Sequence, residues 1–205
     1  RQDKVLLFVG RLNQEKRPLL AYDLFHKLSR LRDDVHLVMV GDGPLREELS
    51  QRARQAGLSA RLTLTGLVPY AQMPAVYNAA HVWVSTSQSE VQPMVALEAA
   101  ACGLPAVAFA DPALQGVIEH GVNGFVVERS DLFLARLANL LDDPERYHTM
   151  RKAAIDHGQQ FSVQATARRL VNCYQRVIGS AGPPLNQATQ HRRPSNSAAE
   201  PFLFN

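Results

Sequence analysis

Arg11 and Lys16 stand five residues apart on the segment Gly10-Arg11-Leu12-Asn13-Gln14-Glu15-Lys16, directly after an apolar run. Arginine offers a fork of donors and lysine a point charge, a combination suited to a diphosphate. The same spacing fits two solvated loop charges, with Glu15 pairing locally. A second segment, Ser85 to Glu98, holds Glu90 and Glu98 with seven residues between them. Pro93 cannot sit in a helix interior, so a helix is predicted to start at Met94, with Glu90 on the loop before it and Glu98 one turn inside. The N–H groups of Met94 and Val95 would then be helix-terminal donors favouring an anion. Carboxylates accept from sugar hydroxyls, so the pattern points to a ligand with phosphate and polyol parts. Glu98, inside Ala-Leu-Glu-Ala-Ala-Ala, reads as readily as an ordinary helix-surface acid. Gly41-Asp42-Gly43-Pro44 allows close backbone approach, but it lacks the six-position dinucleotide fingerprint and by itself reads as a turn.

Such loops need strands to carry them. Val5 to Val9 is a continuous apolar run, as in a strand buried on both faces. Leu20, Leu24, Leu28 and Leu31 then recur at helical spacing. Val35 to Val40 is the next strand; Pro44 suits the first position of a helix bearing Leu45, Leu49, Ala53 and Ala56, which Gly57 ends. The alternation continues with strands at Leu62–Leu64, Val82–Val84, Ala106–Phe109 and Gly124–Val127, and helices at Met73–Ala80 and Met94–Cys102. This predicts an α/β domain with a Rossmann-like, doubly wound parallel sheet, whose ligands bind beyond the carboxyl ends of the strands. After residue 130 only helices follow: Leu132–Leu141, Glu145–Gln160 and a last one with Ala167, Leu170, Val171, Tyr174, Val177 and Ile178 on one face. The domain is expected over residues 1–180, and the Pro-, Gln- and Ser-rich stretch 181–205 is expected to be a disordered tail.

Composition narrows the function. A hydrophobic share of 46% with 20% charged residues is that of a folded, soluble chain. The net charge of +3 is too small for wholesale nucleic-acid binding, and the aromatics are not interleaved with basic residues. Apolar runs are strand-sized, so no segment reads as a bilayer span. Cys102 and Cys173 are the only cysteines, too few for a disulfide framework or a cysteine-only zinc site. None of the seven histidines falls at metal-ligand spacing; His36 and His81 lie at strand positions and read as core or edge residues. There is neither a Gly-x-Ser-x-Gly elbow nor a Lys-Ser/Thr phosphate loop. The sequence starts at Arg1 without Met, as a piece of a longer protein would.

Val9-Gly10-Arg11-Leu12 with Glu15-Lys16, then Val40-Gly41-Asp42-Gly43-Pro44, then Ser89-Glu90 with Glu98-Ala99, resembles the donor half of a family 4 retaining glycosyltransferase. Cys102-Gly103-Leu104-Pro105-Ala106-Val107-Ala108 and Glu119-His120-Gly121-Val122-Asn123-Gly124 continue the resemblance in order, over roughly residues 4 to 178. The resemblance implies a GT-B enzyme of two Rossmann-like domains, of which this chain is similar to the C-terminal, nucleotide-sugar-binding one; the N-terminal acceptor domain is not in the chain. It implies that Arg11 and Lys16, on the loop from Gly10, meet the donor diphosphate. Glu90 would bind hydroxyls of the transferred sugar and Glu98 the ribose. Met94 and Val95, beside Gln92, would complete the phosphate cradle, and Leu67-Val68 would meet the base. Arg11, Lys16 and Glu90 are the implied catalytic residues. No cofactor and no metal are implied, the donor being a UDP- or GDP-linked sugar, with transfer of a hexose to a saccharide or lipid acceptor. The helix near Phe161 to Gly179 is similar to the segment that crosses back to the acceptor domain, without which the fragment is expected to be inactive. A cytoplasmic enzyme, peripherally associated with the inner face of the membrane when full-length, completes the expectation. Val91-Gln92-Pro93-Met94 departs from the Gly-Phe-Gly-Leu type stretch of many members, removing two glycines and an N–H; Gln92 resembles members that glycosylate lipids. Two other readings fit the architecture: a nucleotide-sugar epimerase, which would need further acid/base residues, and a non-catalytic nucleotide-sugar-binding module.

Overall fold

The computed structural model describes residues 3–87 and 93–180. Two compact units divide the chain, Arg1–Ala165 and Thr166–Asn205. The first is built on six parallel strands: β1 (Lys4–Val9), β2 (Val35–Val40), β3 (Leu62–Gly66), β4 (Val82–Ser85), β5 (Ala106–Phe109) and β6 (Gly124–Val127). Between and after them run helices α1 (Pro18–Ser29), α2 (Arg46–Gln55), α3 (Met73–Ala79), α4 (Met94–Ala101), α5 (Ser130–Asp142), α6 (Pro144–Gln159) and α7 (Val163–Ser180).

The strand order is β3-β2-β1-β4-β5-β6. The chain therefore builds outward from β1 to β3, returns to the other side of β1 for β4, and builds outward again. That reversal is the switch point of a doubly wound sheet, where the loops after β1 and β4 part and leave a crevice. Pairing of Leu6 with Val82 and Leu7 with Trp83 fixes the register of the two strands that flank it.

Apolar residues on alternate positions feed two cores, one per face. Leu6, Phe8, Leu37, Met39, Val82 and Val84 pack on one face with Leu24, Leu28, Leu49, Phe133 and Leu137 from α1, α2 and α5. Leu7, Val40, Trp83, Ala106 and Ala108 pack on the other with Met73 and Tyr77 of α3 and Ala96 and Ala99 of α4. This is why β1 reads as an unbroken apolar run. Each fully buried Leu or Phe in these layers contributes roughly 1.5–3 kcal/mol by area removed from water.

Two details of the sequence reading change. Leu31 is 80% exposed and lies past the end of α1, whose buried stripe is Ala21, Leu24, Phe25 and Leu28. Capping ends the helix first: the N–H groups of Arg30 and Leu31 donate to the carbonyls of Lys27 and Leu28. Helix α2 begins at Arg46, two residues after Pro44, because Arg46 N–H closes a turn onto Gly43 O while Leu45 N–H is captured by Leu12 O. On α7 the apolar residues Leu170, Val171, Tyr174, Val177 and Ile178 share a helix face and are exposed. No helix among the described residues is long and apolar enough to cross a membrane.

Candidate active site at the switch point

The loop after β1 is zipped to the turn after β2. Gly10 N–H donates to Val40 O, Leu12 N–H to Asp42 O and Leu45 N–H to Leu12 O, at 2.9, 2.9 and 3.0 Å. Gly41 has φ +131°, and a Cβ there would collide with the Gly10 carbonyl. A Cβ on Gly43 would stand 2.5 Å from Leu12 O. The close approach anticipated for this glycine turn is thus to the protein's own β1 loop, which it holds in place. Asp42 closes the turn by accepting from Gly43 N–H at 2.8 Å.

On that fixed loop the two cations part company. Arg11 is 72% exposed and pairs with Glu15 at 3.3 Å, an arrangement worth little at the surface. Lys16 is only 18% exposed, with Glu15 at 3.8 Å from its Nζ. Local pairing with Glu15 is therefore present for both, but Lys16 is turned inward. It lines a cleft with Gly10, Ser85, Ser87, Met94 and Val95. The first turn of α4 sits at this cleft: Pro93 O accepts from Ala96 and Leu97, the first intrahelical bonds, so the N–H groups of Met94 and Val95 have no partner within the helix. Trp83 also lines the cleft, and its Nε1 is buried without a hydrogen-bond partner.

A second cleft shares the Val9-Gly10 wall and gathers Arg11, Asp42, Val68, Met73 and Glu98. Glu98 is half-buried, and its Oε2 accepts from the Tyr77 hydroxyl at 2.6 Å. Burial first, then the hydrogen bond and charge of Glu98, hold the Tyr77 hydroxyl far above its ordinary pKa, so it stays a donor. Glu98 is consequently oriented from beneath by a buried phenol, which an ordinary helix-surface acid would not be. Tyr77 escaped the sequence reading, although its place on α3 four residues after Met73 marks it as core-facing.

Another buried hydroxyl, that of Thr86, went unnoticed as well. It lies just past β4, fully buried, and its single O–H is shared between the carbonyls of Lys16 and Arg17, at 3.0 and 2.8 Å. Of the predicted site residues, Gly10, Lys16, Met94 and Val95 meet in the first cleft and Gly10, Arg11, Val68 and Glu98 in the second. Glu90 and Gln92 lie outside the described residues.

Among the described residues no group of three or more His, Cys, Asp and Glu is placed to hold a metal. Cys102 is a free thiol whose pKa is raised, chiefly by burial and then by Glu98, the opposite of an activated nucleophile. His81 Nδ1 accepts from Val5 N–H at 3.0 Å, and His36 Nε2 lies 2.8 Å from Thr63 Oγ1; both bond within the sheet.

The family described as glycosyl transferases group 1 matches residues 1–157. D-inositol 3-phosphate glycosyltransferase of Thermobispora bispora is 35% identical over 187 residues, covering 85% of this chain and 44% of the relative. Alpha-D-kanosaminyltransferase of Streptomyces kanamyceticus is 30% identical, covering 84% of this chain and 46% of its own. The chain thus spans less than half the length of these relatives. In fold it is similar to the pneumococcal O-GlcNAc transferase GtfA in complex with UDP and GlcNAc, with TM-score 0.76, 20% identity and coverage of 87% of this chain and 36% of that one. It is likewise similar to the C-terminal domain of a glycosyl transferase group 1 family protein (LpcC) from Francisella tularensis, with TM-score 0.70, 22% identity and coverage of 78% and 85%.

Proposed function

The chain belongs to the glycosyl transferases group 1 family, and from that premise we propose that it is the C-terminal, donor-binding domain of a family 4 retaining glycosyltransferase. In this reading residues 1–180 bind a nucleotide-diphosphate sugar, and a domain outside the chain supplies the acceptor hydroxyl of a saccharide or lipid. The observation that carries it is the convergence at the switch point of an inward-turned Lys16 with the start of α4, next to a cleft holding an oriented Glu98. The first cleft suits a diphosphate and the second, with Val68 in its lining, a ribose and base.

The chemistry follows from where charge develops. Breaking the glycosidic phosphate bond builds negative charge on the leaving diphosphate, and donors fixed before the reaction stabilise it there. Lys16, Arg11 and the Met94 and Val95 N–H groups would serve as those donors. Glu98 would accept from a ribose hydroxyl, and Glu90, by resemblance, from the sugar. The leaving phosphate oxygen can take the proton of the acceptor hydroxyl in a same-face displacement, so no side chain of this domain acts as nucleophile. Protein cations take up the diphosphate charge, and no cofactor is invoked. Peripheral association with the inner face of a membrane belongs to the same proposal when the acceptor is a lipid.

Calorimetric titration of the 205-residue chain with UDP, GDP and ADP tests the reading. One diphosphate binding well above the others, with affinity lost in Lys16→Ala, supports it; no binding of any overturns it. Transfer that appears only when the upstream half of the parent protein is joined would distinguish an enzyme domain from a non-catalytic binding module.

A further inference from the structure

Arg17 is the one non-glycine residue among those described with a positive φ, at φ 52° and ψ 47°. This left-handed conformation is unfavourable for a residue with a Cβ and persists only where the surroundings impose it. Side-chain capping does not explain it: Arg17 is the residue before α1 and makes no side-chain cap bond there. Pro18 follows, which steers Arg17 away from the right-handed helical region. What holds the turn lies across the switch point. The Thr86 hydroxyl, fully buried, reaches two successive carbonyl oxygens, those of Lys16 and Arg17. Arg17 O is also the first acceptor of α1, taking the N–H groups of Leu20 and Ala21 at 3.0 and 3.3 Å. One hydroxyl from the end of β4 therefore ties down both the residue that carries the inward lysine and the start of the helix behind it.

We infer that Thr86 is a positioning residue: its hydroxyl locks the Lys16-Arg17 turn so that the Lys16 side chain faces the first cleft. The inference rests on the reading that Lys16 meets the donor diphosphate. Lys16 is a long, rotatable side chain, and its backbone direction decides which side of the loop it can reach. Asn13 pins the same residue from the loop side, its Oδ1 accepting from Lys16 N–H at 3.2 Å. The Thr86 hydroxyl ties this turn to the end of β4, so losing it loosens the Lys16-Arg17 backbone and shifts the Lys16 side chain in the first cleft.

The test measures binding of UDP, or of the diphosphate selected by the titration above, alongside the matching nucleoside, to the 205-residue chain. Thr86→Val keeps shape and removes the donor; it is expected to weaken the diphosphate about tenfold, the order of a charge-assisted bond that a displaced Lys16 no longer makes. Nucleoside binding should be unchanged, which a general loss of packing would not give. Thr86→Ser should restore the diphosphate affinity. Arg17→Gly, which suits a left-handed turn, should recover part of it in the Thr86→Val background. Wild-type diphosphate binding by Thr86→Val, while Lys16→Ala loses it, overturns the inference but leaves the functional reading standing. Wild-type binding by Lys16→Ala overturns the reading itself. Should Thr86→Val fail to fold, the double variant with Arg17→Gly carries the test, and its failing to fold as well overturns the inference.

Discussion

The two clefts on either side of Gly10 differ in how their polar groups are held. In the first, Lys16 is placed by backbone: a strained turn, an Asn13 side chain and a Thr86 hydroxyl fix its main chain, while its ammonium keeps Glu15 at 3.8 Å. In the second, Glu98 is placed by its own carboxylate, which the Tyr77 hydroxyl grips at 2.6 Å. A charge fixed through its backbone can still adjust its head group to a ligand whose geometry changes during reaction. A carboxylate fixed at its oxygen presents one invariant acceptor. That contrast suits a leaving diphosphate on one side and a spectator ribose on the other.

Removing Lys16 should break the comparison most severely. In the parent protein with its upstream half, Lys16→Ala is expected to lower the transfer rate on the order of 10²-fold, the usual cost of one donor aimed at developing charge. Rates within a few-fold of wild type would remove Lys16 from that role. In the second cleft the loss should appear in ground-state binding instead. Glu98→Ala should weaken nucleoside binding by calorimetry about tenfold, and Tyr77→Phe, which leaves the carboxylate in place without its buried donor, about threefold. If Tyr77→Phe proves as damaging as Glu98→Ala, the phenol does more than orient.

How far the sequence disclosed these two clefts depends on what each position needs. The sheet was legible because both faces of β1, β4 and β5 are buried, so apolar runs mark strands regardless of register. Gly10, Lys16 and Glu98 were singled out by the resemblance and not by spacing alone, because a loop cation and a glutamate on an alanine-rich helix fit solvated positions equally well. Thr86 and Tyr77 were not, since a threonine after a strand and a tyrosine on a helix carry no periodicity that separates packing from positioning. Their roles arise from contacts 69 to 70 and 21 residues apart in the chain, which only the topology brings together. The end of α1 was misread for a related reason: Leu31 continues the helical spacing, but spacing does not register the capping bonds of Arg30 and Leu31.

On the loop after β1, Arg11 and Lys16 offer a finer contrast, because the same charge stands at 72% and 18% exposure. Water screens the exposed guanidinium, and Glu15 already engages it, so Arg11→Ala should weaken diphosphate binding no more than about threefold. A loss in Arg11→Ala equal to that in Lys16→Ala would mean that Arg11 swings inward on binding, and the loop would then be more mobile than its zipper to Gly41–Gly43 suggests.

The smallest effect lies at the opposite end of the sheet, where a group is held by a bond its charged form cannot keep. His81 has a pKa below the ordinary histidine value, through burial first and then the nearby charges of Lys4 and Arg151. Its Nδ1 accepts from Val5 N–H, so protonation there would also remove the acceptor. The unfolded chain takes up the proton at a higher pH than the folded one, so stability is full above about pH 6.5 and falls as pH drops through that value toward the lowered folded pKa. His36 is shifted in the same direction by burial, with Asp3 opposing, and adds its own share to the slope. Thermal unfolding followed from pH 7.5 to 5.5 should therefore show a midpoint that declines by a few degrees, and His81→Gln should flatten part of that decline, leaving the His36 share. Because this end of the sheet is remote from both clefts, diphosphate affinity in His81→Gln should match wild type at pH 7.5; a change there would mean that strand ends and ligand loops are coupled through β1 and β4.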